Sequence, residues 1–550
     1  MITDELVALV SRALDKAKAD GVVAGDGVDI TFERPRRAEH GDWATSVALS
    51  LGRGGGDPRA IAEALVERMP PSDLVDAIEV AGPGFLNFRL SPTWLHDVIR
   101  RASDPSSGFG RSPRTGLKIN VEYVSANPTG PINVVSGRHA AVGDSIANLL
   151  DAAGHDVTRE FYINDAGRQA VLFGESIAAR YLQAFGKEAA VPEGGYQGDY
   201  VKDIADRIST EIGDSLVNAP SAELNGEMQR RGLELMLGEM KASLERFGTH
   251  HDVWFSERTL HEKAEVPEAI ERLRAAGYTY EAEGALWFKS SDLGDDKDRV
   301  LVRANDEPTY LAADSAYLLD KFGRGFDRLI YLWGADHHGA VARLKAVATA
   351  LGFDPETVEV PIVQIVTLSS GEETLKGSKR AGVIVKLDDL VDEVGADAAR
   401  YTFLTRSIEA HLDFDVAAVK EQAPENPVYY VQYAHARICS IIAKASEAGH
   451  ATDIADASLD LLSHPNEDQL MRKIASYEEE IPMAAERRAP QRITRFLEEL
   501  AADFSAFYRD CRVISDDAAL THARLALCVA TKSVIADGLG LLGVSAPERM

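Results

Sequence analysis

Two stretches of this 550-residue chain carry side chains whose types and spacing suit phosphate chemistry. The first, Val121–Asp144 (VEYVSANPTGPINVVSGRHAAVGD), reads as a strand, a tight loop and the opening of a helix. Ile119, Val121 and Tyr123 alternate with polar residues, then Pro128, Gly130 and Pro131 break the run. Ala140, Ala141, Ile146, Leu149 and Leu150 follow at helical spacing. A helix that starts behind such a loop is expected to aim free backbone N–H groups at an anion. The second stretch, Glu372–Leu404, holds Lys376, Ser378, Lys379 and Arg380 on a glycine-containing loop, where lysines can follow phosphate charge as it moves. Taken alone, Lys376–Lys379 also fits a solvated basic turn.

Three further constellations stand out. Asp336, His337 and His338 follow the apolar run RLIYLWG. Asp and His ligate divalent ions, but adjacent histidines do not readily turn both rings to one ion, so no metal is expected there. Asn164, Asp165 and Gln169 in FYINDAGRQ follow another strand-like run, in a place that suits a ligand crevice or a helix N-cap. ENPVYYVQYAHARICSI sets Tyr430, Tyr433 and Arg437 on one helix face, where they could stack on unpaired bases and hold phosphate, or form core.

Positioning these groups requires several domains, since 550 residues exceed what one hydrophobic core organises. Residues 1–110 read as a small mixed α+β domain that closes on the strand-like GPGFLNFRLS, and ASDPSSGFGRSPRTG (Ala102–Gly116) reads as a linker. From 115 to 406, KINVEYV, HDVTREFYIN, RVLVRA, RLIYLWG and VEVPIVQIVTL alternate with helical stretches, as in a parallel sheet flanked by helices. A helical, charged insertion is expected at about 170–277. Residues 424–550 read as all-helical, with apolar spacing to match in Leu470–Ile481 and Ile493–Phe507.

The formal charge of −28, from 59 basic and 87 acidic residues, opposes a polyanion spread over the whole surface but leaves room for a local basic face. Arg34, Arg36 and Arg37 form one such cluster. The three cysteines lack CxxC spacing, so neither a disulfide framework nor a cysteine zinc site is expected. The acidic, amphipathic N-terminus does not read as a signal peptide, and a cytoplasmic protein is expected.

Over nearly its whole length the sequence resembles the class I arginyl-tRNA synthetases. The residues that carry the resemblance are NPTGP, NDAG, LVRANDEPTYLAADSAY, GADHHG, KGSKRAGVIVKLDDLVDEVGADAAR and the terminal SAPERM, with FERPRRAEHGDWATSVALSLGR in the N-terminal part. Two signature elements depart from the family pattern. Asn133-Val134-Val135-Ser136 replaces His-x-Gly-His, and Gly377 replaces the Met of Lys-Met-Ser-Lys.

The resemblance implies a multidomain α/β fold: a Rossmann-type parallel-sheet catalytic domain, an N-terminal domain against the outer corner of tRNA, and an all-α anticodon-binding domain. It implies ATP-dependent activation of arginine to arginyl-adenylate and transfer to the 3′-terminal ribose of tRNA(Arg), with ATP and Mg2+ as the nucleotide substrate and no structural metal. Its catalytic residues would be Lys379, Lys376, Ser378, Asn133 and Ser136. Gly130, Asn133, Ser136, Gly137, Gly334, Lys376 and Lys379 would bind ATP. Glu122, Asn127, Tyr310, Asp314, Asp336 and His337 would bind L-arginine, and Tyr430, Tyr433, Arg437, Tyr508 and Met550 would meet the tRNA. Asn133 and Ser136 are weaker donors than two histidines, and His139 or Arg138 are the groups placed to compensate. No DNA or membrane partner is expected, and the enzyme is expected to act as a monomer. The second function class is a catalytically impaired paralogue that binds tRNA or arginine.

Overall fold

The structure is a computed structural model that describes every residue except 1, 24–26, 36, 371–372, 376–384, 422 and 424, with the side chains of 38, 370 and 373–375 also outside the description. Five strands form the central sheet: β1 (Lys118–Glu122), β2 (Asp156–Ile163), β3 (Val253–Ser256), β4 (Arg328–Tyr331) and β5 (Val358–Glu359). All pairings are parallel, in the order β5-β4-β1-β2-β3. The chain builds outward from β1 on one side and then returns to its other side. The carboxyl ends of β1 and β4 therefore flank the crevice where such sheets take ligands.

Helix α1 (Val134–Ala152) returns across this sheet from β1 to β2. Its close approach depends on Gly143, where an added Cβ would lie 2.2 Å from Tyr123 Cγ at the end of β1. Tyr123 is itself fully buried and donates its hydroxyl to the His250 carbonyl at 2.6 Å. After β1 the backbone takes positive φ at Val124 (70°) and Ser125 (40°). Such strain persists where surrounding bonds over-determine it: Ser125 Oγ donates to Glu122 Oε1 at 3.0 Å and accepts from Tyr162 N at 3.1 Å.

Three helices, Arg168–Ala184, Asp199–Ile212 and Ser221–Arg246, intervene between β2 and β3. The expected insertion at 170–277 thus contains β3, a strand of the parallel sheet. The run RVLVRA departs further: Arg299–Val302 joins Thr279–Ala282 and Ala285–Phe288 in a separate antiparallel sheet. VEVPIVQIVTL is divided among three sheets, β5 at the edge of the main one, Ile362–Val363 beside Trp333–Gly334, and Val366–Ser370 beside Leu412–Asp415. Alternation along the sequence marked strands correctly, but a short apolar run does not say which sheet it joins.

The N-terminal domain pairs Trp43–Thr45, Phe85–Leu90 and Val75–Ala81 antiparallel and docks on the C-terminal helices. Arg101 makes a bidentate bond to Glu478 (2.6 and 2.9 Å), Arg111 one to Asp537 (2.5 and 2.9 Å), and Arg34 one to Glu479 (3.0 and 2.7 Å). Arg34 is thus an interdomain clamp, stacked over Trp43 at 4.7 Å. The C-terminal helices include Pro427–Glu447, Gln491–Asp510 and Ala518–Leu541. The last is long and apolar enough to cross a membrane, but it packs among the other helices and its buried face belongs to the core.

Candidate active site

The two phosphate-directed stretches, about 250 residues apart in sequence, meet at the start of α1. Val134 N donates to Val385 O at 3.2 Å and Leu387 N to Ile132 O at 2.9 Å, so Asn133 pairs antiparallel with Lys386. The exit of the lysine loop is therefore hydrogen-bonded to the entry of NVVS. On the other side the loop is entered from a hairpin, Val366–Ser370 with Glu373–Leu375. Lys376, Ser378, Lys379 and Arg380 lie outside the described residues.

Asn133 is the N-cap of α1: its Oδ1 accepts from Ser136 N at 2.8 Å. The side chain keeps only its amide nitrogen as a donor. The helix start also differs from the open anion cradle expected. Val134 N–H is bound to Val385, Ser136 N–H to the cap and Gly137 N–H to Asn133 O, and Val135 N–H alone has no acceptor among the described residues. Asn133→Ala is expected to cost about 1 kcal/mol of stability through the lost cap, measured by urea unfolding.

Gly137 and Gly130, expected at ATP, both make close packing contacts. A Cβ on Gly137 would meet Leu387 Cδ1 at 2.6 Å, which is the contact that lets α1 lie against the helix Leu387–Val394. Gly130 is buried beneath Tyr200, whose hydroxyl donates to Thr129 O at 2.9 Å. Among the described residues, neither Arg138 nor His139 supplies a free cation to the helix start. Arg138 is fully buried and spends its guanidinium on the carbonyls of Gln364 (2.8 Å), Ala410 (3.0 Å) and Ser407 (3.0 Å). His139 does turn inward, bonded to the Leu332 carbonyl at the end of β4. Burial and Arg138 lower its pKa to about 4, so the ring is neutral near pH 7.

Beyond β4, Gly334 leaves room for Asp336, whose Oδ1 would be 2.7 Å from an added Cβ. Asp336 and His337 are exposed on the turn Ala335–Ala340, 3.5 Å apart, with His337 leaning on Trp333.

Carboxylates gather on the other side of the crevice. Glu122 ends β1, and Asp314 lies one turn into the helix α2 (Tyr310–Gly323), below the exposed Tyr310. Glu257, just after β3, is a third, and was missed by sequence reasoning because its only signal was an acid behind the short run VWFS. Asp314 reaches solvent through the cleft mouth while protein crowds its other sides, and it has no hydrogen-bond partner among the described residues. That crowding, with Glu257 and Glu122 nearby, raises its pKa to about 7, opposed weakly by Arg343. Glu257 is buried and also raised, chiefly by burial, with Tyr162 and His261 bonded to it. Asn127 is held over the cleft by Gln169, Nδ2 to Oε1 at 2.9 Å. Asp165 is structural: it accepts from Ser256 Oγ (2.7 Å) and Arg258 N (3.2 Å), tying β2 to β3.

A second feature lies in the C-terminal helices, a groove of about 1120 Å³. It brings together Tyr433, Arg437, Tyr508 and Met550, with the Arg437 guanidinium 4.6 Å from the Tyr433 ring and 5.3 Å from the Tyr508 ring. Lys444, Arg509, Arg512 and Arg549 add positive charge, against Asp510, which Arg509 already pairs. Tyr430 does not share it. Its hydroxyl meets Ser505 at 3.4 Å and its ring packs on the core.

Residues 4–90 match the family described as arginyl tRNA synthetase N terminal domain, residues 110–407 the catalytic domain of class I (R) tRNA synthetases, and residues 431–550 the DALR anticodon binding domain. The chain is 47% identical over 550 residues to the arginine–tRNA ligase of Moorella thermoacetica, covering 99% of this chain and 98% of that one. This chain belongs to the arginyl-tRNA synthetase family. It is also 46% identical over 556 residues to the arginine–tRNA ligase of Frankia alni, covering 100% and 99%. The fold agrees with that of Thermus thermophilus arginyl-tRNA synthetase, at TM-score 0.78 and 23% identity over 100% of each chain. The activity is that of an aminoacyl-tRNA ligase joining arginine to tRNA. As an arginyl-tRNA synthetase it has the three expected parts: a small N-terminal domain, a class I parallel-sheet catalytic domain and a helical DALR domain. ATP use is the family's expected chemistry.

Proposed function

We propose that arginine lies in the crevice with its guanidinium against Asp314 and Glu257 and its ammonium against Glu122 and Asn127, so that its carboxylate points toward the NVVS end. The single observation that carries this reading is the surplus of carboxylates at the sheet's carboxyl edge, where Asp314 lacks a partner among the described residues and is destabilised by its neighbours. A guanidinium relieves that repulsion and offers paired donors that carboxylates accept. Tyr310, Asp336 and His337 line the mouth.

In this reading ATP lies over Gly334 and the NVVS turn with Mg2+ on its phosphates, where the ion takes oxygen ligands. An arginine carboxylate oxygen attacks the α-phosphorus, and the bond to pyrophosphate breaks. The terminal ribose hydroxyl of tRNA(Arg) then attacks the adenylate carbonyl and AMP leaves. Asn133 and Ser136 donate hydrogen bonds to phosphate oxygens, and Lys376, Ser378 and Lys379 stabilise the leaving pyrophosphate. Lys379→Ala is expected to lower kcat about a hundredfold while arginine binding changes little, as measured by single-turnover charging and equilibrium binding.

The C-terminal groove takes the anticodon loop, with bases stacking on Tyr433 and Tyr508 and phosphates on the surrounding arginines. This placement reconciles an acidic chain with an RNA partner, because the groove concentrates its positive charge locally. Arg437→Ala should raise the tRNA Michaelis constant roughly tenfold and flatten its salt dependence by about one ion. The enzyme would work in the cytoplasm as a monomer. Charging of tRNA(Arg) with labelled arginine and ATP tests the whole reading. Tight tRNA binding without charged product would identify an impaired paralogue instead.

A further inference from the structure

Lys321 stands on α2, two turns beyond Asp314, and is fully buried. Its Nζ lies 2.6 Å from Glu122 Oε2, 3.9 Å from the centre of the Tyr331 ring and 4.3 Å from that of Tyr317. Burying an ammonium is costly, and an apolar side chain of similar volume would serve packing as well or better. The neighbouring buried carboxylate, Glu160, feels the Lys321 charge but takes its bonds from other residues. Arg324 grips Glu160 with two bonds (2.6 and 2.8 Å), and Asn120 and Tyr317 complete its shell. The direct bond of Lys321 is to Glu122. With Ser125 on Oε1 and Lys321 on Oε2, that carboxylate is fixed from two sides.

We propose that Lys321 is a positioning residue for arginine recognition, aiming the Glu122 carboxylate at the bound ammonium through a buried ion pair. This rests on the arginine placement proposed above. Two other basic side chains face these carboxylates among the described residues. Arg343, which faces Asp314, lies 3.7 Å from Asp295, and His261 lies 3.8 Å from Glu257. Tyr162, also bonded to Glu257, stays neutral because burial raises its pKa far above the usual phenol range. Without Lys321, the three carboxylates would lose a cation from a site where Asp314 already holds a proton part of the time near pH 7, and that proton would be held to higher pH. Arginine would then have to expel that proton in order to bind.

The test is steady-state charging by the full-length protein with tRNA(Arg), varying arginine at pH 6.5 and 8.5, for Lys321→Met, Glu122→Gln and the double variant. Lys321→Met should raise the arginine KM about tenfold at pH 6.5, with partial recovery at pH 8.5 and a much smaller change in kcat. A lower melting temperature with an unchanged arginine KM and pH profile would overturn the proposal. If the single variant does not fold, the double variant, which removes both charges, decides. A KM equal to that of Glu122→Gln supports action through Glu122, and a KM raised further by the full cost of a second, independent contact overturns it. Asp314→Asn is the control for the placement itself. If it leaves the arginine KM unchanged, the placement fails, whereas a raised KM there with a wild-type KM in Lys321→Met removes only the role of Lys321.

Discussion

Asp314→Asn is expected to raise the arginine Michaelis constant by roughly one to two orders of magnitude, the cost of removing the charge from a guanidinium–carboxylate pair that stays partly open to solvent. The change is nearly isosteric and leaves α2 intact, since Asp314 makes no hydrogen bond among the described residues. What is lost is a charge kept in an unfavourable place until a guanidinium arrives. With a pKa near 7 in the free protein, raised by crowding and by Glu257 and Glu122, Asp314 is partly protonated at neutral pH. Arginine binding requires the ionised form, so kcat/KM for arginine should fall as pH drops below about 7, and Asp314→Asn should abolish that limb. The sign for stability is the reverse. Because the folded-state pKa lies above the ordinary 3.8, the folded protein holds the extra proton between these values. It therefore loses stability as pH rises from about 4 toward 7, with no further change above. Saturating arginine should remove this loss, which thermal melts across pH 5–8 with and without arginine would reveal. An arginine KM within threefold of wild type in Asp314→Asn would take this carboxylate out of the site.

Arg400→Ala should cost about 3–5 kcal/mol, the usual penalty for leaving a buried charge without its partner. Arg400 is fully buried. It donates to Asp144 Oδ2 at 2.5 Å, to the carbonyls of Phe247 (3.1 Å) and Gly248 (2.9 Å), to Thr249 Oγ1 (2.9 Å), and to Leu542 O (3.1 Å). One guanidinium thus joins helix α1, the turn before β3 and the end of the C-terminal helix Ala518–Leu541. Gly543, at φ +66°, accommodates it, since an added Cβ there would lie 2.2 Å from Arg400 Nη2. Urea unfolding of Arg400→Ala should show a reduced midpoint, and of Arg400→Met with Asp144→Leu a smaller reduction, because the pair is then removed together. Equal losses in the two variants would mean that the carbonyl contacts, rather than the ion pair, carry the effect.

Much of the architecture was legible because local patterns had only one reading. The alternation in KINVEYV and HDVTREFYIN marked two central strands, and the spacing after Asn133 marked α1. RVLVRA and VEVPIVQIVTL were harder, because runs of a few apolar residues satisfy any sheet that buries them. The same limit applied to the site. Asp314 and Glu122 could be named from the sequence, whereas Glu257 and Lys321 could not, since a single acid after a short strand and a lysine in an amphipathic helix are commonplace. Gly130 and Gly137 show a related limit. A glycine in a loop–helix junction signals a close approach, but not whether a nucleotide or a neighbouring helix makes it.

The sequence by itself determined the family, the three-part plan and the two signature elements that depart from the family pattern, because motifs and periodicity are properties of neighbouring residues. Tertiary structure alone decided which of those residues are free for chemistry. Arg34 and Arg138, basic and plausible as phosphate ligands, are consumed by Glu479 and by three backbone carbonyls. His139 turns inward but is neutral, and Asn133 closes the helix start rather than leaving it open. A side chain's charge and donors are written in the sequence, but whether they remain unspent depends on desolvation and on partners that only the folded chain brings within reach.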